Sequence, residues 1–328
     1  MASSRARRAR RRPSRTRPAL IACAVVGATA AGAVYWQGHA RPGAGGAVSS
    51  ASSAPSGGEE AVETVEPAET AQTAGPAADG DARLAAAMAS VTVADGAKVS
   101  VAVLDPDSGG SAAYGTGAYD TASIVKVDIL AALLLQAQDA GRSLTAAEKT
   151  YAAAMIENSD NESASALWRA IGTAGGLDAA NARFGLTGTT GGDGPLWGLT
   201  RTTAADQVTL LRQVFVADGS ELTAASRAYV RELMERIADG QRWGVSAAAD
   251  GSGGTGATGW ALKNGWLRRS TTGLWVVNSI GRVESGGHGY LVAVVSRGSG
   301  TQAEGIALTE AAARAAVGVF TDEGSEGR

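Results

Sequence analysis

Apolar and polar positions change period several times along this chain, and each change marks an element. From Ser123 to Asp139 nearly every position is apolar: Ile124, Val125, Val127, Ile129, Leu130, Leu133, Leu134 and Leu135. A stretch apolar all round predicts a helix buried in a core, and Gly141 marks its end. Only Lys126 and Asp128 interrupt it before Asp139. Upstream, 82–90 reads as a helix. Residues 98–105, KVSVAVLD, alternate and are β-branched, so they predict a strand, followed by a turn and a return strand at 111–114.

Downstream, Thr145 with Glu148 forms a capping-box pattern that opens a helix running to about Asn158. Helices follow at 159–170 and 177–184. Residues 185–201, GLTGTTGGDGPLWGLTR, are a glycine-rich loop pinned by Leu196 and Trp197. Two more helices, 203–216 and 223–238, precede strands at 260–268, 273–280 and 290–297 and a closing helix at 302–320. This order predicts an α+β fold. The outer segments form one antiparallel sheet with terminal helices, and the middle forms a helical subdomain. The cleft between them is the expected site.

The N-terminal quarter has another character. Residues 1–18 are basic and arginine-rich, and 19–36 carry no charge. That length suits one membrane span or a signal-peptide core, and the basic flank predicts that residue 1 stays in the cytoplasm and the remainder is exported. An uncleaved anchor is the favoured reading and a cleaved leader the alternative. Residues 37–80 have too few large apolar side chains to order themselves and read as a flexible linker. The folded domain is expected at 81–322, with a tail at 323–328.

Composition narrows the chemistry. Cys23 is the single cysteine and His39 and His288 the only histidines, so neither a disulfide, a metal cluster nor a cofactor is expected. The first 17 residues hold eight Arg and no acid. The rest is acidic, which argues against nucleic acid as a partner. Only four of the 29 basic residues are lysine: Lys98, Lys126, Lys149 and Lys263. Arginine does not deprotonate in proteins, whereas a buried lysine can become neutral and act as a base.

Three short motifs carry the candidate chemistry. In Ser123-Ile124-Val125-Lys126, serine and lysine share one helix face. Burial favours a neutral lysine that can activate the serine. The plain alternative is an N-cap serine beside an unrelated lysine. In Ser159-Asp160-Asn161, a hydroxyl and an amide sit between two helices, although Ser159 with Glu162 is itself a capping box. Lys263-Asn264-Gly265 puts a lysine on a strand beside the cleft, although Asn-Gly is also a hairpin signal. The stretch 268–273 offers a better turn. His288 in Ser-Gly-Gly-His-Gly reads as a loop residue, with a Ser-His-Asp triad as a minor alternative.

Taken in order, SxxK at a helix start, SDN at a helix junction and Lys-x-Gly on a strand resemble the serine β-lactamase and penicillin-binding protein superfamily, closest to class A β-lactamases. Arg201-Thr202-Thr203 looks like the end of that family's omega loop. The resemblance spans about 81–322. It implies a five-stranded sheet with terminal helices beside a helical subdomain. It also implies that Ser123 forms an acyl-enzyme with a small-molecule β-lactam or a peptidoglycan-like D-Ala-D-Ala peptide. Lys126 would be the base, and Ser159 would pass the proton to the departing nitrogen. Asn161, Lys263 and Asn264 would bind substrate, and the N–H groups of Ser123 and Trp266 would form the oxyanion hole. A monomer held at the membrane by its N-terminal segment is expected.

Three departures from the family pattern stand out. Asn264 replaces the usual Thr or Ser of the third motif. Ser159 follows Ser123 by only 36 positions, which leaves the site more open than in class A enzymes. From Ser163 through Ser220 there is no glutamate, and Asp193 is the only acid in the loop, so the usual deacylation base is missing. Two alternatives follow: a penicillin-binding or DD-peptidase-like protein, or a non-catalytic wall-binding module.

Overall fold

The computed structural model of the protein describes residues 76–250 and 259–321. The basic segment 1–18, the charge-free stretch 19–36, nearly all of the linker 37–80 and the tail 323–328 lie outside the described residues. Among the described residues no helix is long and apolar enough to cross a membrane.

Helix α1 (Pro76–Met88) leads into strands β1 (Lys98–Leu104) and β2 (Ser111–Tyr114). The chain later returns as β5 (Trp260–Arg268), β6 (Trp275–Ser285) and β7 (His288–Ser299), then closes with α8 (Gln302–Thr321). The five strands form one antiparallel sheet in the order β2-β1-β7-β6-β5. Between them lie α2 (Val125–Asp139), α3 (Ala146–Glu157), α4 (Asn161–Ala170), α5 (Thr173–Phe184), α6 (Ala204–Phe215) and α7 (Ala224–Glu235). Short strands β3 (Tyr119–Asp120) and β4 (Arg201–Thr202) pair with each other. This is the α+β arrangement expected from the hydrophobic pattern.

Strand alternation divides the interior into two cores. Val99, Val101 and Val103 of β1 and Val292 and Val294 of β7 pack with Leu84 of α1 and Leu308 of α8. Ala102, Leu291, Ala293 and Val295 face the other way, toward Ile124, Leu130 and Leu211 of the helical part. Side chains alternate faces along a strand. A sheet covered on both faces therefore reads as a continuous apolar run. Helix α2 is enclosed by neighbours, and Val125 through Leu135 are all buried.

The structure departs from the sequence pattern in three places. Helix α1 begins at Pro76, ahead of the boundary expected at 81. Its buried Gly80 lies so close to β2 that a Cβ would sit 2.4 Å from the Ser111 carbonyl oxygen. A contact made by backbone leaves no apolar signature. Helix α5 begins at Thr173, because Gly175 and Gly176 hide its start. Strands β6 and β7 run further than their apolar centres, so His288 opens a strand rather than lying in a loop, paired with Ser285. Elsewhere the favoured reading holds: strand β5 passes unbroken through Asn264 and Gly265, which excludes the alternative Asn-Gly hairpin. The turn falls at Arg269–Gly273, where Gly273 N–H donates to the Arg269 carbonyl at 2.8 Å.

Candidate active site

Ser123 lies in a 3₁₀ turn, Ala122–Ile124, that leads directly into α2. Ala122 before it has φ +48°, a left-handed conformation unfavourable for a residue with a Cβ. The turn is held from both sides. Thr121 N–H donates to the Thr200 carbonyl at 2.8 Å, and the Asn278 amide of β6 donates to the carbonyls of Asp120 and Thr121, each at 2.9 Å.

Strand β5 is the sheet's outer strand on this side, and the serine turn packs against it. A Cβ at Gly265 would fall 2.6 Å from Ser123 N and 2.7 Å from Ile124 N, so glycine is required for the approach. Lys263 Nζ donates to the Asn264 carbonyl at 2.9 Å, which places that carbonyl on the strand's free edge. Backbone groups two residues apart point the same way along a strand. Trp266 N–H therefore shares the edge that faces Ser123.

Lys126, one helical turn after Ser123, is fully buried. Its Nζ donates to the Ser159 carbonyl at 2.7 Å, to Ser159 Oγ at 3.0 Å and to Asn161 Oδ1 at 2.8 Å. The Trp197 ring lies 4.9 Å from the same nitrogen. Burial lowers the Lys126 pKa to about 7, against the opposing pull of Asp160. A neutral form is therefore accessible near neutral pH.

Ser159 is not a helix cap. Asp160 is the N-cap of α4, with its carboxylate accepting from Ser163 N–H at 2.7 Å; the Ser163 side chain and then this N–H lower the Asp160 pKa. The alternative of a capping box between Ser159 and Glu162 is thus excluded, and the cap falls one residue later, on Asp160. Ser159 instead takes φ +55°, and its hydroxyl lies between two amines. Lys263 Nζ, fully buried, approaches Ser159 Oγ to 3.0 Å and Gln241 Oε1 to 3.5 Å. Burial, then the nearby Lys126 charge, depresses the Lys263 pKa well below its ordinary value.

Asn264 does not join this group. Alternation along β5 sends Leu262 to the core beneath the terminal helices and Lys263 to the opposite face. Asn264 follows Leu262. Its Nδ2 donates to the carbonyls of Gln241 at 2.7 Å and Trp243 at 2.9 Å. The amide donor expected to meet substrate is already used to anchor the 241–243 segment. Trp266 follows the same alternation, and its ring meets Trp243 edge-on, 5.8 Å between centroids. Asn161, at the exposed start of α4, accepts from Lys126 through Oδ1 at 2.8 Å.

Two other sequence candidates lie elsewhere. Asp193 is exposed in the loop, where its carbonyl accepts from Leu196 N–H. His288 pairs with Ser285, seven residues along β6 from Asn278 and so roughly 23 Å away at about 3.3 Å per residue. Asn278 touches the Ser123 turn, so a triad through His288 is out of reach. Trp197, Gln241 and Asn278 were not singled out as site residues by sequence reasoning. Only Asn278 left a signal, as an amide inside the apolar run WVVNSI.

Comparison with solved structures places the architecture. PBP-A matches with a TM-score of 0.61 at 21% identity, covering 74% of this chain and 96% of PBP-A. A mutant of PBP-A, solved as an acyl-enzyme complex with penicillin G, matches with a TM-score of 0.60 at 22% identity over 74% of this chain and 97% of that one. The TLA-1 extended-spectrum beta-lactamase matches with a TM-score of 0.61 at 16% identity over 75% of this chain and 99% of that one. At these identities the likeness is one of fold. No curated protein matches the sequence. The model of the Beta-lactamase enzyme family matches residues 147–320, more than half of the chain. By fold and by that match, the chain belongs to the beta-lactamase enzyme family.

Proposed function

We propose that this protein is a serine hydrolase that forms an acyl-enzyme on Ser123 with a β-lactam or a D-Ala-D-Ala-like peptide. The observation that carries the reading is the Ser159 hydroxyl held between two buried lysines, beside the serine turn. Ser123 Oγ attacks the carbonyl carbon, and neutral Lys126 takes its proton. The N–H groups of Ser123 and Trp266 bind the oxyanion. The proton then passes through Ser159 Oγ to the departing nitrogen as the C–N bond breaks. Asn161 N–H binds the substrate's amide side chain, and Lys263 donates a hydrogen bond to its carboxylate. Lys126 becomes charged within this cycle, and the depressed pKa of Lys263 limits the cost of holding two amines around one oxygen.

Among the described residues, release of the acyl group has no comparable machinery. Asp160 is the carboxylate whose charge acts on Lys126, and it is engaged as the cap of α4. The loop presents the Trp197 ring to Lys126, not an acid. This favours a slowly turning over, penicillin-binding or DD-peptidase-like protein over an efficient β-lactamase. The basic segment and charge-free stretch at 1–36 support an anchored domain outside the cytoplasm, which protease accessibility on intact cells tests.

Incubation of the full-length protein with benzylpenicillin or a D-Ala-D-Ala ester, followed by intact mass, tests the function. A persistent adduct, lost in Ser123→Ala, is the expected result. Rapid drug loss without an adduct indicates β-lactamase turnover. Absence of both adduct and turnover with every substrate leaves a wall-binding module and overturns the catalytic reading.

A further inference from the structure

A buried amide inside a strand calls for a physical reason. Asn is disfavoured in strands, and burying an amide without partners is costly. Asn278 is 0% exposed, between Val277 and Ser279 on β6. Its Oδ1 accepts from Ser296 N–H of β7 at 2.8 Å. Both Nδ2 hydrogens are used, on the carbonyls of Asp120 and Thr121 at 2.9 Å each. One side chain thus joins β6 and β7 to the segment that immediately precedes the nucleophile.

The neighbours explain how it reaches. Gly265 is the register partner of Asn278 on β5, so the position between β6 and the serine turn has no side chain. The Asn278 amide crosses that gap to the turn. The same missing Cβ lets Ser123 N approach the strand edge. Asp120 is fixed a second time, by its carboxylate, through Arg201 and Arg269. Ala122, whose φ of +48° has to be imposed from outside, lies directly between the carbonyls Asn278 holds and Ser123.

We propose that Asn278 is a positioning residue for the acylation step. It fixes the backbone at 120–121 so that the left-handed Ala122 presents Ser123 N–H and Oγ to the β5 edge. It does not touch substrate. This rests on Ser123 being the acylated nucleophile, and the test separates the two ideas.

Asn278→Ala loses all three bonds. Asn278→Asp keeps an acceptor for Ser296 N–H but loses both donors to the turn. In the full-length protein, displacement of the nucleophile by about 1 Å lowers the acylation rate constant about 10²-fold in both variants. Non-covalent affinity for benzylpenicillin, read from the saturation of that rate, stays within about twofold, as for a group acting only in the transition state. A merely structural role would lower Tm without this split. Amide exchange read by mass spectrometry follows the turn itself: peptides spanning 119–125 exchange faster in both variants, and those from β1 do not. If folded variants acylate at the wild-type rate, or their 119–125 exchange is unchanged, the positioning role is wrong. If the wild type never acylates, the functional reading fails, and the exchange data still decide whether Asn278 holds the turn.

Discussion

Lys126 and Lys263 share one oxygen: each Nζ lies 3.0 Å from Ser159 Oγ, one from a helix and one from the sheet. Both amines are fully buried. Two ammonium charges around one hydroxyl repel each other, so burial and proximity act in the same direction on Lys263. The result is one hydroxyl within hydrogen-bond reach of two buried amines.

Acylation should depend on the neutral form of Lys126. With its pKa lowered to about 7 by burial, the acylation rate should rise with pH and level off above that value. Stability follows the same group. Between about 7 and the ordinary 10.5 the unfolded chain binds the extra proton, so this lysine makes the fold more stable as pH rises through that window. Lys126→Arg should abolish adduct formation, since arginine stays charged. Acylation rates measured from about pH 5.5 to about pH 9 check this. A flat profile would show that Lys126 is not the base.

Ser159 separates strain from chemistry. Its φ of +55° suits glycine and opposes a side chain. Ser159→Gly and Ser159→Ala both remove the hydroxyl between the lysines, so both should lose acylation by about 10²–10⁴-fold. The glycine variant should be the more stable of the two by about 1 kcal/mol, because alanine keeps the left-handed penalty. Thermal unfolding of the pair checks the strain. A Ser159→Gly protein that acylates normally would remove the hydroxyl from the proton path.

Asp128 carries a titration unconnected with acylation. It is buried in α2, and Gln207 Nε2 donates to its Oδ1 at 3.1 Å. Its Oδ2 and Gln207 Oε1 are both buried without a partner, an arrangement that one proton on the carboxyl would satisfy. Burial raises the Asp128 pKa from 3.8 to about 7. The folded state then holds the extra proton between those values, so its contribution is present at low pH and lost as pH rises through about 7. Asp128→Asn should therefore gain Tm over wild type at about pH 8 relative to about pH 5, at about 2–4 °C per kcal/mol. Equal Tm differences at the two pH values would show that the carboxyl ionises freely.

Elements and motif order were legible without the fold. The all-apolar run around Leu133 could only be an enclosed helix, and the alternation of KVSVAVLD could only be a strand, because these periods are properties of local geometry. The lysine at Lys126 stood out because a charge on such a helix needs a reason. The shortage of acids in the loop was equally plain, since composition is visible directly.

Roles that depend on direction were not legible. Ser159 and Asp160 are both good cap residues, and only the packed backbone assigned the cap to Asp160 and turned Ser159 toward the lysines. Lys263 and Asn264 are neighbours in the motif, yet strand alternation sends them to opposite faces of the sheet. Asn278 lies 155 positions from Ser123 in the chain, and its contact with the serine turn exists only because Gly265 leaves a gap beside it. The sequence by itself determined which elements form and which reactive groups are available, since both follow from local chemistry. Tertiary structure decided which groups meet, because hydrogen bonds between distant segments depend on strand register and on the face each side chain takes.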